Sequence, residues 1–152
     1  MSEANKPRLV GINHVAIEVG DIAAALEFYG KIFDFTLRGH SDRNAFIDIG
    51  DQFINLALQT TPRTADGEPE RRHIGFVVDD RSSVRARAEA AGARILPGRF
   101  LDFLDPWGNC IEVVEYSNVQ FTKATHILRG MRLDLTKNEN ARRELAEKGL
   151  GE

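Results

Sequence analysis

One eight-residue pattern occurs twice in this chain, and the repetition restricts what the chain can fold into. Residues 14–21 read HVAIEVGD and residues 73–80 read HIGFVVDD, and each copy begins with one of only four histidines. The two copies are offset by 59 positions (73 minus 14). Later segments, FINLAL at 53–58 and CIEVVE at 110–115, match at an offset of 57 (110 minus 53). Repetition of similar segments in the same order predicts an internal duplication.

The first copy opens a predicted strand, a helix and three further strands. Alternation of apolar and polar residues from Ile12 to Val19 is typical of a strand. Asp21 then stands at a helix N-cap, and an apolar stripe follows at helical spacing from Ile22 to Phe33. The runs DFTLRG, AFIDIG and FINLALQ predict three short strands.

The second copy opens the same order of elements after a polar linker. Residues 60–72 contain two prolines and a glycine and lack an apolar period, which favours a linker. HIGFVV predicts a strand, and SSVRARAEAAG predicts a helix that ends at Gly92. ARILP, FLDFLD and CIEVVEY predict strands, and the PWGN between the last two predicts a tight turn. Because each half has too few strands to bury both faces of its sheet, we expect the halves to share one sheet or to form two facing sheets.

Composition limits the class of partner. The chain has 152 residues, enough for one domain with a sizeable core, and a formal net charge of −3. That charge gives no electrostatic reason to expect nucleic acid or an anionic membrane as a partner. Cys110 is the only cysteine, which excludes an intrachain disulfide and fits a reducing compartment. Since the initial MSEANKPR has no apolar signal-peptide core, we expect a soluble, cytoplasmic protein.

Two histidines and a glutamate lie on the side of the predicted sheets that the helices leave uncovered. His14 and His73 alternate with apolar neighbours that face the helices, and Glu112 occupies the corresponding side of the last strand. If the sheet curls, this side becomes concave and the three side chains converge. Two imidazoles and one carboxylate suit Fe(II), Mn(II), Co(II), Ni(II) or Zn(II), and they leave coordination positions open for the oxygens of a substrate.

Each candidate ligand also has a structural interpretation. A histidine at the start of a strand is commonly hydrogen-bonded within the fold, and a glutamate in a terminal strand is commonly solvated. The matched positions of two histidines in a repeat favour the metal site. Glu18 and Tyr116 lie on the same predicted side as candidate catalytic proton carriers, or else as residues of the rim. We expect His40 and His126 at the surface, because both stand in polar surroundings.

Three segments resemble a known family: NHVAIEVGDIAAALEFYGKIFDF, RHIGFVVDD and FLDPWGNCIEVVEY. They resemble the vicinal oxygen chelate superfamily, which includes glyoxalase I, fosfomycin-resistance proteins, extradiol dioxygenases and bleomycin-resistance proteins. The resemblance covers about residues 9–117. It implies a single α+β domain in which two repeated βαβββ units, about 9–60 and 72–117, form a curved mixed sheet around a cleft. Residues 118–152 would form a partly helical C-terminal tail.

The resemblance also implies a site. The family's metal ligands fall on His14, His73 and Glu112, and a fourth position falls on Asn55, where glyoxalase I usually holds a glutamate. A neutral amide cannot act as a carboxylate base, which disfavours the glyoxalase I reaction. Members with one such domain commonly form dimers. We therefore expect a homodimer, in which the three ligands come either from one chain or from both.

Two functions are compatible with these observations. The first is a divalent-metal-dependent, glyoxalase- or dioxygenase-like enzyme, acting as a lyase, isomerase or dioxygenase on a small substrate whose oxygens chelate the metal. The second is a metal-free protein that binds a small ligand or drug, as bleomycin-resistance proteins do. The intact set of candidate ligands favours the enzyme.

Overall fold

The computed structural model describes residues 12–69, 71–98 and 100–151, so the start of the predicted first unit, before residue 12, lies outside the described residues. Within these ranges no helix has both the length and the apolar character needed to cross a membrane. The elements in chain order are β1 (His14–Val19), α1 (Ile22–Ile32), β2 (Thr36–His40), β3 (Asn44–Asp48), β4 (Phe53–Leu58), β5 (Ile74–Val78), α2 (Val84–Ala90), β6 (Arg94–Leu96), β7 (Leu101–Leu104), β8 (Cys110–Glu115), a 3₁₀ turn (Tyr116–Asn118), α3 (Thr125–Gly130) and α4 (Glu139–Glu147).

The strands form two four-stranded mixed sheets with the same internal order. Sheet one runs β1-β4-β3-β2 and sheet two runs β5-β8-β7-β6. In each sheet the first strand of the unit pairs in parallel with the last strand, and the other pairs are antiparallel. The predicted α+β fold of two repeated βαβββ units is thereby confirmed.

Polar caps and glycines set the ends of the helices. The Asp21 carboxylate accepts a hydrogen bond from the Ala24 amide at 2.7 Å and begins α1, as predicted. Asn138 caps α4 in the same way, through the amide of Ala141 at 2.8 Å. Gly92 has a φ of 89°, which glycine adopts without steric cost, and it follows the end of α2. The short helix α3 was not predicted.

Helix α1 joins the two units because it packs on the second sheet as well as on its own. The Phe28 ring lies 6.3 Å from that of Phe103, and the Phe33 ring lies 5.7 Å from that of Phe76, both edge to face. Such aromatic pairs add about 0.5–1.5 kcal/mol to the free energy gained from burial. A single apolar core therefore includes the inner faces of both sheets, and each outer face is turned away from it.

The predicted turn at 106–109 also ties the units together. Asp105, which precedes it, is fully buried and accepts hydrogen bonds from the Trp107 amide at 2.9 Å and the Asn109 amide at 2.8 Å. The Asn109 side-chain amide donates to the Glu18 carbonyl of β1 at 2.8 Å. This turn of the second unit is thus fastened to the first unit.

The C-terminal tail folds back onto the first unit. Lys123 forms an ion pair with Asp51 of the β3–β4 turn, and its own side chain is only 8% exposed. Lys137 donates hydrogen bonds to the Tyr116 and Phe121 carbonyls, and its ammonium lies 3.4 Å from the centre of the Tyr116 ring. Burial lowers the pKa of Lys137 to about 8. The ammonium groups of two lysines therefore fasten the tail, in addition to its apolar contacts.

Candidate metal centre

His73 and Glu112 meet on the outer face of sheet two. Glu112 lies on β8 directly opposite Gly75 of β5, and His73 immediately precedes β5. The parallel pairing of β5 and β8 thus brings His73 Nε2 to 3.2 Å from Glu112 Oε2. On its other side, His73 Nδ1 lies 3.0 Å from the Arg71 carbonyl oxygen.

These contacts define the tautomer of the neutral imidazole. A carbonyl oxygen can only accept, so Nδ1 of His73 carries the proton and donates it to Arg71. In the neutral ring the Nε2 lone pair then faces a carboxylate lone pair of Glu112. Only a cation placed between them, a second proton or a metal ion, makes that arrangement favourable.

The spacing of these two atoms suits a shared metal ion. Two ligand atoms each about 2.1 Å from one cation, at an angle of roughly 90–110°, are ~3.0–3.4 Å apart. The observed separation of Nε2 and Oε2 is 3.2 Å. The side chain of Glu112 is 23% exposed and that of His73 is 51% exposed, so the pair is open to an incoming ligand.

His14 occupies the equivalent place on sheet one. It begins β1, and its side chain is exposed on the outer face. Nδ1 donates to the side-chain oxygen of Asn13 at 2.8 Å, which leaves the Nε2 lone pair free to bind a cation. The imidazole stacks on Phe53 with the ring centres 4.6 Å apart and an interplanar angle of 8°. Asn13 and Phe53 together orient the ring.

A single chain does not bring His14 together with the other two predicted ligands. Within residues 12–69, 71–98 and 100–151, no group of three or more His, Cys, Asp or Glu side chains is placed to hold a metal ion. His14 begins the edge strand of sheet one and His73 immediately precedes the edge strand of sheet two, so each histidine belongs to its own sheet. The candidate ligands thus fall into two groups, His14 on sheet one and His73 with Glu112 on sheet two.

The other residues singled out in the sequence, Glu18, Asn55 and Tyr116, lie in three different parts of the fold. Glu18 is exposed at the far end of β1 on the same outer face as His14. Asn55 faces Ala16 in the register of sheet one, and its amide oxygen accepts a hydrogen bond from Asn44 at 2.9 Å. Tyr116 was expected on β8, but that strand ends at Glu115; Tyr116 begins the 3₁₀ turn and is only 4% exposed. These positions favour Glu18 over Tyr116 as a group that reaches a substrate.

The residues that orient the ligands were not predicted. Asn13 precedes His14, and Arg71 is two positions before His73, so both lie close in sequence to the histidines that they orient. An asparagine beside a candidate ligand is a usable signal, because metal-binding imidazoles commonly donate their second N–H to a neighbouring oxygen. A backbone carbonyl such as that of Arg71 gives no signal in the sequence.

A second carboxylate lies beside Glu112. Asp102 lies opposite Glu112 in the register of β7 and β8. Burial raises the pKa of the Cys110 thiol, and the charges of Asp102 and Glu112 raise it further. The surface next to the candidate ligands is therefore suited to a cation.

Comparison with known proteins identifies the family. The family model of the glyoxalase/bleomycin resistance protein/dioxygenase superfamily matches residues 11–113. Metallothiol transferase FosB from Shouchella clausii is 29% identical over 114 residues, which cover 68% of this chain and 78% of that protein.

Two solved structures share the fold. A mutant of FosX from Listeria monocytogenes, complexed with Mn(II) and 1S,2S-dihydroxypropylphosphonic acid, has a TM-score of 0.58 at 20% identity, covering 70% of this chain and 90% of that one. Lactoylglutathione lyase from Agrobacterium tumefaciens has a TM-score of 0.54 at 23% identity, covering 72% and 96% of the two chains. Together with the family match over residues 11–113, the repeated βαβββ architecture establishes that this chain belongs to the glyoxalase/bleomycin resistance protein/dioxygenase superfamily.

Proposed function

We propose that this protein is a divalent-metal-dependent, glyoxalase- or dioxygenase-like enzyme that acts on a small substrate presenting two oxygens to the metal. The observation that carries the proposal is the His73–Glu112 pair. Its two lone-pair atoms face each other at 3.2 Å, and the second imidazole nitrogen is already committed to the Arg71 carbonyl. A divalent cation satisfies both atoms at once.

The comparisons support this reading without specifying the reaction. The name of the FosB relative describes a metallothiol transferase, and the FosX structure was solved with Mn(II). Imidazole and carboxylate ligands accept Mn(II), Fe(II), Co(II), Ni(II) and Zn(II), so the donor set alone does not choose among them. A lyase, an isomerase, a transferase or a dioxygenase would all use such a centre. A cytoplasmic location remains a prediction from the sequence.

The proposed site is shared between the two chains of a homodimer. Strands β1 and β5 are edge strands of their sheets, and His14 and His73 stand at their starts. If β1 of one chain pairs with β5 of its partner so that the starts of the two strands lie side by side, an exposed His14 comes to lie beside a His73–Glu112 pair. Such pairing also covers two open sheet edges, which would otherwise template aggregation. Symmetry then produces two complete sites per dimer.

Each residue has a definable task in this proposal. His14, His73 and Glu112 hold the metal, and the Asn13 oxygen and the Arg71 carbonyl keep the lone pairs of the two imidazoles aimed outward. The bound cation supplies a Lewis acid that stabilises negative charge developing on substrate oxygens. Glu18, exposed on the same face as His14, moves a proton to or from the substrate.

Elemental analysis of protein purified without chelator tests the proposal. We expect close to one divalent metal per chain in the wild type, and a loss of bound metal in His73→Ala and Glu112→Gln. His126→Ala is the matched control, because this exposed histidine lies in the tail. Wild-type metal content in His73→Ala would overturn the assignment.

A second candidate function is binding of a flat aromatic ligand without metal. One observation favours it: the Arg38 guanidinium lies 4.6 Å from the Phe53 ring centre and 5.3 Å from that of Phe46, which makes a stacking surface beside His14. In that case a proton, rather than a metal, joins His73 to Glu112. Wild-type protein that is free of metal but quenches the fluorescence of an aromatic ligand would favour this function.

A further inference from the structure

Arg38 reaches across the outer face of sheet one toward His14. It lies on β2, and the strand order β1-β4-β3-β2 puts two strands between it and His14 of β1. Its guanidinium carbon is nevertheless 5.3 Å from the ring centre of Phe46 on β3 and 4.6 Å from that of Phe53 on β4. The side chain therefore spans β3 and ends over the ring on which the His14 imidazole stacks.

These contacts bring a permanent positive charge close to a candidate metal ligand. The ring centres of His14 and Phe53 are 4.6 Å apart, and the Arg38 guanidinium carbon lies at the same distance from the Phe53 ring centre. The imidazole centre and the guanidinium carbon are thus at most 9.2 Å apart (twice 4.6 Å). A molecule only a few carbon atoms long can bridge a metal ion on His14 and this cation.

The aromatic rings orient the guanidinium and leave its donors available. A guanidinium stacked on aromatic faces keeps its N–H groups in its own plane, where they can form paired hydrogen bonds to a carboxylate. The acidic contact that the described residues offer it is Asp48, whose Oδ1 lies 3.6 Å from Nε, beyond hydrogen-bond distance. The Arg38 side chain is 51% exposed, so a dissolved molecule can reach it.

We propose that Arg38 determines substrate specificity by binding a carboxylate at the end of the substrate remote from its two chelating oxygens. The inference rests on the proposed metal site and narrows its substrate to short compounds, such as dicarboxylic hydroxy acids, with a chelating group at one end and a carboxylate at the other. Arginine suits this task because its planar fork matches the two oxygens of a carboxylate. Asp48 repels a doubly charged phosphate more than a singly charged carboxylate, which favours the carboxylate.

Two hydroxy acids with the same number of carbons test the proposal on the Mn(II)-loaded protein. 2-Hydroxyglutarate and 2-hydroxyvalerate share a chelating carboxylate and 2-hydroxyl, but the first ends in a second carboxylate and the other in a methyl group. We expect titration calorimetry to show that wild type binds 2-hydroxyglutarate about tenfold more tightly than 2-hydroxyvalerate. Arg38→Met should weaken 2-hydroxyglutarate binding about tenfold and change 2-hydroxyvalerate binding less than about twofold. Arg85→Met, at a 56% exposed arginine of α2, is the matched control and should change neither.

Two further variants distinguish recognition of the substrate from support of the aromatic stack. Asp48→Asn removes the competing carboxylate, so it should strengthen 2-hydroxyglutarate binding about threefold and leave 2-hydroxyvalerate binding unchanged. Arg38→Lys keeps the charge but loses the planar pair of donors, so it should restore only part of the affinity that Arg38→Met loses. Weaker binding of 2-hydroxyglutarate by Asp48→Asn would contradict the proposal.

The outcomes separate this inference from the proposed function. Wild-type protein that binds no Mn(II) overturns both. Stoichiometric Mn(II) in the wild type and in Arg38→Met, with the two acids weakened by the same factor or not at all, overturns the role of Arg38 and leaves the metal site standing. Loss of Mn(II) from Arg38→Met would show that the guanidinium supports the Phe53–His14 stack, and it would also overturn the role in specificity.

Discussion

The Tyr29 hydroxyl donates a 2.7 Å hydrogen bond to the buried carboxylate of Asp105, 76 positions away in the sequence. Tyr29 belongs to α1 of the first unit, and Asp105 precedes the turn that begins the last strand of the second unit. Burial raises the pKa of both groups, and the negative charge of Asp105 raises that of Tyr29 further. This bond joins the two halves of the duplication inside their common core.

Tyr29→Phe should destabilise the protein because it removes a donor from a buried carboxylate while keeping the aromatic ring. We expect the free energy of unfolding, measured by urea denaturation, to fall by about 1–3 kcal/mol. Tyr116→Phe is the control, since the described residues form no hydrogen bond with the Tyr116 hydroxyl. Equal stabilities of the two variants would contradict a structural role for the Tyr29–Asp105 bond.

Gly20→Ala tests the fit of the second-unit turn against the first unit. A Cβ at Gly20 would lie 2.5 Å from Trp107 Nε1 and 3.0 Å from Gln59 Nε2, so the indole must move. We expect a loss of about 1–3 kcal/mol in unfolding free energy, the usual effect of overpacking. Gly39→Ala is the matched control because a Cβ there meets nothing within 4 Å. A loss of similar size in both variants would contradict this assignment, because the entropic effect of Gly→Ala on the unfolded chain is stabilising and the contact with Trp107 is absent at Gly39.

Local sequence patterns were sufficient to predict the strands and the helices α1, α2 and α4. They also predicted which side of the sheet carries the candidate ligands. Alternation depends on near neighbours, so His73 and Glu112 could be placed on one face before β5 and β8 were known to pair. The relation of His14 to that pair could not be predicted. It depends on how the two units pack against each other, which involves contacts between residues far apart in the sequence, such as that of Phe33 with Phe76.

Contacts between distant residues also explain why the position of Tyr116 and the packing of the tail were not predicted. The alternation of CIEVVEY continues through Tyr116, but the strand stops at Glu115 because the next residues turn to receive the tail. Lys137 then covers the Tyr116 ring, and the residues that neighbour each of them in the sequence do not predict this contact. A side chain at the end of a strand is therefore assigned to a face with less certainty than one in its middle.

Asn13→Ala should weaken metal binding without removing a ligand. The side-chain oxygen of Asn13 accepts a hydrogen bond from the Nδ1–H of His14 and leaves Nε2 free, and loss of such a partner typically lowers metal affinity about 10–100-fold. Competition with a coloured chelator measures the change. Asn13→Asp retains an acceptor at the same place and should retain the affinity. An Asn13→Ala variant with wild-type affinity would show that the imidazole is oriented by Phe53 alone.

Mixing two inactive variants tests whether the site is shared between chains. Homodimers of His14→Ala and of His73→Ala should each lack the complete site. A mixed dimer restores one site, because one chain supplies an intact His14 and its partner supplies an intact His73 with Glu112. We expect co-refolded mixtures to bind up to one metal per mixed dimer, measured after separating the species by two affinity tags. No recovery of metal in a verified mixed dimer would place all the ligands within one chain.

Because of Lys137, the free energy of unfolding should increase as the pH rises from 8 to the ordinary pKa of a lysine side chain. Burial holds its pKa at about 8 against 10.5 for a free side chain, so the folded state binds fewer protons than the unfolded state over that interval. Stability rises with pH wherever the unfolded state binds more protons. We therefore expect the free energy of unfolding of the wild type, taken relative to that of Lys137→Met, to rise from pH 8 to pH 10.5. Lys148→Met, at an exposed lysine of the same tail, is the matched control. A flat profile for Lys137→Met would mean that its ammonium, between two carbonyls and the Tyr116 ring, gains as much from those contacts as it loses by burial.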